Sequence, residues 1–139
     1  CSGSGGIGIE AFSRGAKKVY MIDKNQDAIN LINKNLSKIE LDIELGKNLF
    51  VLKHDITKIK KLKLPEFDFI HLDPPYSSNI YSIVLKNILD SKILNNKGLI
   101  LIETDKLINI DKLNFKEIFS RKIGSSYLQC FKKSLNPLK

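Results

Sequence analysis

Hydrophobic and polar positions along the chain follow two different periods. Apolar residues three or four positions apart indicate one face of a helix, whereas short runs of β-branched and aromatic residues indicate strands. Segment 25–40 shows the helical spacing most clearly. Its apolar stripe consists of Ile29, Ile32, Leu36 and Ile39, with Ala28 and Leu31 beside it.

The same reasoning predicts an alternation of helices and strands. The predicted helices cover 6–16, 25–40 and 79–94, and the predicted strands cover 17–23, 48–55, 66–73 and 99–103. Gly15 follows the first helix where glycine commonly ends one. The segment "FKEIFSRKIGSSYLQCFKK" predicts two further strands around the turn 124–126. The pattern therefore predicts an α/β fold with a doubly wound, mostly parallel sheet and a C-terminal antiparallel hairpin.

Length and composition limit the class of protein. With 139 residues, we expect one domain over 1–139. No apolar run approaches the roughly 20 residues that span a bilayer, and no signal peptide is visible. We therefore expect that the protein does not bind a membrane and that it is located in the cytoplasm or in the interior of an organelle. Four residues lack metal-ligand spacing, which predicts reduced thiols and no metal site. They are Cys1, Cys130, His54 and His71.

The charge favours a polyanionic partner. The chain carries 23 basic and 15 acidic residues, a net charge of +8. The abundance of Lys, Ile and Asn is also typical of AT-rich genomes, so composition offers a second explanation. The runs "KIKKLK" (58–63) and Lys132-Lys133 either dock phosphates or form solvated faces.

A glycine-rich loop opens the chain. "GSGGIG" matches G-x-G-x-x-G through Gly3, Gly5 and Gly8. Glycines allow positive φ and a close approach of the backbone to a ligand, and the helix that follows offers free N–H groups to an anion. Such a loop normally follows a buried strand, so we expect a first strand and an N-terminal segment ahead of Cys1.

Two acidic residues end the next two predicted strands. Asp23 follows Gly3 by 20 residues, where a carboxylate can accept hydrogen bonds from both hydroxyls of a ribose. Asp55 ends the following strand, where an adenine amino group could be held. Ligands of doubly wound sheets bind at the carboxyl ends of the strands. Up to this point, a nicotinamide dinucleotide and S-adenosylmethionine fit equally.

The stretch "FDFIHLDPPYSSNIY" (67–81) separates these two cofactors. Asp73 can accept one N–H of a planar amine and the Pro74 carbonyl the other, which favours rehybridisation of the nitrogen toward a methyl donor. The two prolines stiffen these acceptors, and Tyr76 can stack on a base. The stretch therefore favours an amino methyltransferase, and the simpler alternative is a proline-rich turn with a surface tyrosine.

Two segments carry a resemblance to a known family. "CSGSGGIGIEAFSRGAKKVYMIDKN" together with "FDFIHLDPPY" resembles the RsmD-like methyltransferases, and the similarity continues through "GLILIE" and "RKIGSSYLQCFKK". The resemblance implies a Rossmann-like, S-adenosylmethionine-dependent enzyme, acting as a monomer on guanine N2 of small-subunit ribosomal RNA. Its partner would be the RNA or a small ribosomal subunit assembly intermediate.

The resemblance also implies roles for individual residues. Gly3 and Gly5 would line the methionine end of the cofactor, Asp23 the ribose, and Asp55 with Ile56 the adenine. The implied cofactor-binding residues are Ser2, Gly3, Gly5, Gly8, Asp23, Lys24, Asp55 and Ile56. The implied catalytic residues are Asp73, Pro74, Pro75 and Tyr76, and of these Asp73, Pro74 and Tyr76 would hold the target base.

Three other functions remain open from the sequence. An acceptor pair for an NH₂ group does not identify the ring, so an adenine-N6 or other amino methyltransferase acting on nucleic acid is the first alternative. The second is a catalytically inactive RNA-binding remnant, and the third is an NAD-binding module.

Overall fold

The computed structural model describes residues 1–39, 43–75, 80–110 and 113–134. The chain divides into two compact units, Cys1–Ile56 and Thr57–Lys139. In chain order the helices and strands are α1 (Gly6–Ser13), β1 (Val19–Asp23), α2 (Gln26–Leu36), β2 (Leu49–Lys53), a 3₁₀ turn (Ile56–Lys61), β3 (Phe67–Leu72), α3 (Tyr81–Asp90), β4 (Leu94–Thr104), β5 (Phe115–Ile123) and β6 (Ser126–Lys133).

The first unit is built on a parallel strand pair. β1 and β2 pair in register from Val19 opposite Leu49 to Asp23 opposite Lys53. Three residues of the predicted stripe on α2 are buried, as the 3.6-residue period requires. The core of the unit consists of Val19, Met21, Ile29, Ile32, Leu36 and Leu49.

Close packing of the glycine loop explains two of its three glycines. A Cβ on Gly8 would lie 2.6 Å from Met21 Cγ, and a Cβ on Gly5 would lie 2.9 Å from Met21 Sδ and 3.0 Å from Ile32 Cγ1. Met21 is only 1% exposed and has little room to retreat. These glycines therefore let α1 and its loop approach β1 and α2 more closely than any side chain would permit.

Gly15 ends α1 as predicted. It adopts φ +97°, and its N–H donates to the Phe12 carbonyl at 3.0 Å. The Ala16 N–H donates to the Ala11 carbonyl at 3.0 Å. This pair of bonds is a Schellman motif, so the helix itself stops at Ser13 rather than at residue 16.

The second unit contains a four-stranded sheet in the order β3-β4-β6-β5. β3 and β4 are parallel, whereas β4–β6 and β5–β6 are antiparallel. The predicted α/β fold with parallel strand pairs and a C-terminal antiparallel hairpin is confirmed, with β6 inserted between β4 and β5. The apolar core of this unit includes Leu72, Val84, Leu85, Ile88, Ile93, Leu94, Ile100, Ile102 and Phe131.

The other two helices also end earlier than predicted. α2 stops at Leu36 because its last turn tightens into i→i+3 bonds, from Lys38 N–H to Asn35 and from Ile39 N–H to Leu36. α3 stops at Asp90, and Lys92 adopts φ 55°, so the segment predicted to be its end begins β4. The start predicted for α3, at residue 79, lies outside the described residues.

The described strands form two sheets, of two and four strands, where we predicted one. The expectations of a single domain over 1–139 and of a strand ahead of Cys1 stay predictions. Among the described residues, the helices are all too short or too polar to cross a membrane.

The packing of Gly8 gives a first testable prediction. We expect Gly8→Ala to lower the free energy of unfolding by about 1–3 kcal/mol, because its Cβ would overlap Met21. Gly6→Ala is the matched control, since its Cβ would meet only Ser4 Oγ at an ordinary 3.6 Å. Urea unfolding measures both. If both variants unfold like the wild type, the proposed tight contact between α1 and β1 is wrong.

Candidate functional site

Asp23 holds the glycine loop against the end of β1. The residue is only 9% exposed. Its Oδ2 accepts a hydrogen bond from the Gly3 N–H at 3.0 Å, and its Oδ1 accepts one from the Asn25 N–H at 2.9 Å. One carboxylate therefore fixes both the loop that precedes α1 and the turn that leads into α2.

The electrostatics of Asp23 follow from these contacts. Burial by itself raises the pKa of the carboxyl, but the backbone N–H donors of Asn25, Gly3 and Lys24, together with the positive charge of the Cys1 amino group, hold the pKa below its ordinary value of 3.8. The group is therefore an ionised acceptor at neutral pH. Since a carboxylate offers about four lone-pair positions, it can accept further hydrogen bonds from a ligand.

Ser2 also attaches the loop to β1, through hydrogen bonds to the backbone of Ile22. Its hydroxyl donates to the Ile22 carbonyl at 3.1 Å and accepts from the Ile22 N–H at 2.8 Å. Its backbone carbonyl accepts from the Gly5 N–H at 2.8 Å. Ser2 thus shapes the loop through contacts within the protein, and its role toward a cofactor stays a prediction.

The loop offers space and donors that fit S-adenosylmethionine. Gly3 has φ +52°, and no atom lies within 4 Å of the position that its Cβ would occupy. Gly5, at the N-cap of α1, has no side chain to accept from the first-turn N–H groups, so these can donate to a carboxylate. Together with the Asp23 carboxylate, the loop supplies donors for an amino acid carboxylate and an acceptor for ribose hydroxyls.

The remaining predicted cofactor residues follow the two strands. Lys24 is exposed directly after β1, and Asp55 lies two residues beyond β2 and is half-buried. The His54 N–H donates to the Asp23 carbonyl at 2.8 Å, which extends the parallel pairing to the strand ends. Asp23 and Asp55 are therefore at the same edge of the two-stranded sheet, and Ile56 begins the 3₁₀ turn there.

The predicted catalytic corner follows β3 in the second unit. Asp73 is the first residue after the strand and is exposed. Pro74 is buried and anchors the corner, whereas Pro75 is exposed. Tyr76 lies outside the described residues, so its stacking role stays a prediction.

Two titratable residues that we did not assign to the site act on Asp73. Partial burial raises the pKa of the Asp73 carboxyl above 3.8, the negative charge of Glu103 raises it further, and His71 opposes both. Burial lowers the pKa of the His71 imidazole below 6.5, while Asp73 and Glu103 oppose that shift. The corner is therefore a cluster of two carboxylates and a largely neutral imidazole.

Strand register explains why this cluster forms. Leu72 pairs with Ile102, and Ile100, Ile102 and Thr104 are buried in alternation with more accessible neighbours. His71 and Glu103 flank the Leu72–Ile102 pair and so project from the opposite, more open face. The alternation within "LILIE" was a signal for the face of Glu103, but its proximity to Asp73 required the register.

The described residues offer no metal-binding cluster. Within that part of the chain, no three or more His, Cys, Asp or Glu side chains come close enough together to hold a metal ion. The prediction of no metal site stays a prediction.

The fold is the Rossmann-like fold of methyltransferases. A solved structure from Haemophilus influenzae, named "putative methylase", superposes with a TM-score of 0.79 at 26% identity, covering 96% of this chain and 83% of that one. The chain belongs to the RsmD-like family, whose model, described as conserved hypothetical protein 95, matches residues 1–132.

Two relatives share the name ribosomal RNA small subunit methyltransferase D. The protein of Haemophilus influenzae is 31% identical over 105 residues, which cover 76% of this chain and 54% of the relative. That of Buchnera aphidicola subsp. Baizongia pistaciae is 31% identical over 108 residues, covering 78% and 53%. The chain thus spans about half the length of these two relatives.

The contacts of Asp23 predict a pH-dependent loss of stability in Asp23→Asn. An amide nitrogen cannot accept the second backbone N–H, so we expect a loss of about 1–3 kcal/mol at neutral pH. Because the native pKa of Asp23 lies below 3.8, the wild-type advantage is present above that pH and is lost as pH falls through the native value. Urea unfolding between pH 7 and pH 3 measures the difference.

The exposed residue Asp27 supplies the control for this experiment. Asp27→Asn removes the same charge from the same unit and should cost well under 1 kcal/mol, the scale of a helix-dipole interaction. Equal losses in the two variants, or an Asp23→Asn loss that is independent of pH, would contradict the role given to the Asp23 carboxylate.

Proposed function

We propose that the protein methylates the exocyclic N2 amine of a guanine in small-subunit ribosomal RNA and uses S-adenosylmethionine as the methyl donor. The observation that carries the proposal is the exposed Asp73 carboxylate, held at the end of β3 by the buried Pro74. The family and the names of the relatives support ribosomal RNA as the substrate.

The first unit would bind the cofactor. The uncapped N–H groups at the start of α1 would donate to the methionine carboxylate, and the Asp23 carboxylate would accept from the ribose hydroxyls. Asp55 and Ile56 would hold the adenine. Bound S-adenosylmethionine would supply a methyl group activated by the positive charge on sulfur.

The second unit would hold the amine. The lone pair of an exocyclic guanine amine is delocalised into the ring and is therefore a poor nucleophile. Asp73 would accept one N–H, the Pro74 carbonyl the other, and Tyr76 would stack on the base. These acceptors favour the nitrogen geometry in which the lone pair is available, and their effect grows as the nitrogen becomes positive.

The local charge suits Asp73 to this role. Burial and Glu103 raise the proton affinity of its carboxylate, which makes it a stronger hydrogen-bond acceptor. After transfer, the methylated nitrogen is acidic and can release its proton to Asp73 or to water. No stronger base is required, and we propose that the protein acts as a monomer on the RNA or on a small ribosomal subunit assembly intermediate.

The central test is Asp73→Ala in the complete protein. We expect turnover on small-subunit ribosomal RNA to fall about 10²–10³-fold, the usual cost of removing one preorganised electrostatic partner. Affinity for S-adenosylhomocysteine, measured by calorimetry, should remain within about twofold. Asp68→Ala, an exposed acid earlier on β3, is the control and should retain wild-type turnover.

Two results of this test would contradict the proposal. Retention of more than about a tenth of wild-type turnover by Asp73→Ala would mean that Asp73 is not the amine acceptor. Binding of NAD by the wild type, with no response to S-adenosylmethionine or S-adenosylhomocysteine, would exclude the cofactor. Mapping the methylated base on ribosomal RNA, with DNA in parallel, separates guanine N2 from adenine N6.

Glu103 gives a prediction about pH. Transfer requires an ionised Asp73, so the rate should fall at low pH with an apparent pKa above 3.8. Glu103→Gln removes the charge that raises this pKa, so the acidic limb of kcat should move to lower pH. Glu66→Gln, an exposed acid just before β3, should leave it in place. An unchanged limb in Glu103→Gln would show that Glu103 does not act on Asp73.

A further inference from the structure

The β5–β6 hairpin is strongly basic. Residues 115–133 contain five basic side chains and one acidic side chain, Glu117. Glu117 accepts a hydrogen bond from Gln129 Nε2 at 2.7 Å, so its charge is already engaged within the protein. The five basic residues are Lys116, Arg121, Lys122, Lys132 and Lys133.

Two of these cations lie over aromatic rings near the tip of the hairpin. The Arg121 guanidinium carbon is 5.8 Å from the centre of the Phe119 ring, and Lys122 Nζ is 5.5 Å from that of Tyr127. Such contacts reduce the number of conformations of a long cationic side chain without neutralising its charge. Arg121 and Lys122 are both exposed, so both charges are held in place and available.

Strand register places this tip at the same end of the four-stranded sheet as Asp73, where β3 and β4 terminate. Glu103 pairs with Leu128, and Leu128 pairs with Arg121, so Arg121 and Glu103 lie in one row on one face. Lys122 is in the next row, with Tyr127 and Thr104, and so projects from the other face. Asp73 follows Leu72, which pairs with Ile102 beside Glu103. Three strand spacings of about 4.8 Å separate β3 from β5, so Arg121 is roughly 14 Å from the strand that ends at Asp73.

The lysine run at 58–63 lies at the opposite end of the sheet, where β3 and β4 begin. Lys60 and Lys63 line a surface groove with Ser91 and Ile93, where α3 ends and β4 begins. Lys60 also forms an ion pair with Asp90. These lysines contribute to the net charge but lie at the amino ends of β3 and β4, away from Asp73.

We propose that Arg121 and Lys122 bind phosphates of the nucleotides that flank the target base. A polyanion fits two fixed, exposed cations with aromatic neighbours, and these two cations project from the two faces of the hairpin tip. Arg121 is on the face of Glu103, so an RNA strand can reach from the tip to the Asp73 corner, while Lys122 would contact the same strand where it passes around the tip. This inference rests on the proposed function, because it assumes that Asp73 faces the target amine.

The test compares two variants that remove equal charge. The double variant Arg121→Gln/Lys122→Gln removes the two charges at the hairpin tip. The double variant Lys61→Gln/Lys63→Gln removes the charges of two exposed lysines at the opposite end of the sheet. The probe is purified small-subunit ribosomal RNA, with affinity measured across a salt series and KM and kcat measured by methyl transfer. For the tip variant we expect about tenfold weaker RNA binding, and the slope of log affinity against log salt concentration should be smaller in magnitude by about 1–2. The loss of activity should appear as a higher KM rather than a lower kcat. Affinity for S-adenosylhomocysteine should not change.

The outcomes separate this inference from the proposed function. Equal losses in the two double variants, or no loss in the tip variant, would overturn the inference. Selective loss in the tip variant supports it, even if the wild type binds the RNA without methylating it, a result that would instead defeat the proposed activity. Weakened binding to acidic proteins with unchanged RNA affinity would also overturn it. Circular dichroism and thermal unfolding confirm that each variant is folded.

Discussion

Parallel pairing of strands is the constraint that decides where the candidate functional residues can lie. In a parallel pair the carboxyl ends meet at one edge, so residues far apart in sequence become neighbours. β1 and β2 bring Asp23 and Asp55 to one edge of their sheet in this way. β3 and β4 do the same for Asp73 and Glu103. Neither pair could form in an antiparallel arrangement of the same two strands.

Asp23 shows that a residue proposed to bind a ligand can also be a structural one. Its burial is unfavourable for a charge, and two backbone N–H groups compensate for it. The same bonds fix the loop whose remaining N–H groups are offered to a ligand. A substitution at Asp23 would therefore change loop stability together with the proposed affinity for the cofactor. Loss of affinity alone does not establish contact with the ribose, and stability must be measured beside it.

Local signals made much of the fold predictable. Gly15 ends α1 because glycine accepts positive φ, and the stripe on α2 is buried because its period matches the helix. The end of α3 was not predictable in this way, since Lys92 takes a left-handed conformation that no residue preference indicates. Glu103 was missed as a neighbour of Asp73 for another reason. Their proximity depends on the register of two strands that are separated in sequence by α3.

In the second unit, the cations of the hairpin and the carboxylates of Asp73 and Glu103 lie far enough apart for both proposed tasks, RNA binding and amine activation. At physiological ionic strength the Debye length is about 8 Å, so cations roughly 14 Å away across solvent have little effect on the Asp73 carboxyl. Glu103 is close enough to raise its pKa. The hairpin can therefore attract a phosphate backbone without making Asp73 a weaker acceptor. Were Arg121 in the place of Glu103, the same cation would stabilise the ionised carboxylate and lower its proton affinity. Because two strands separate Arg121 from Asp73, the proposed RNA binding and the proposed amine activation can be tuned independently.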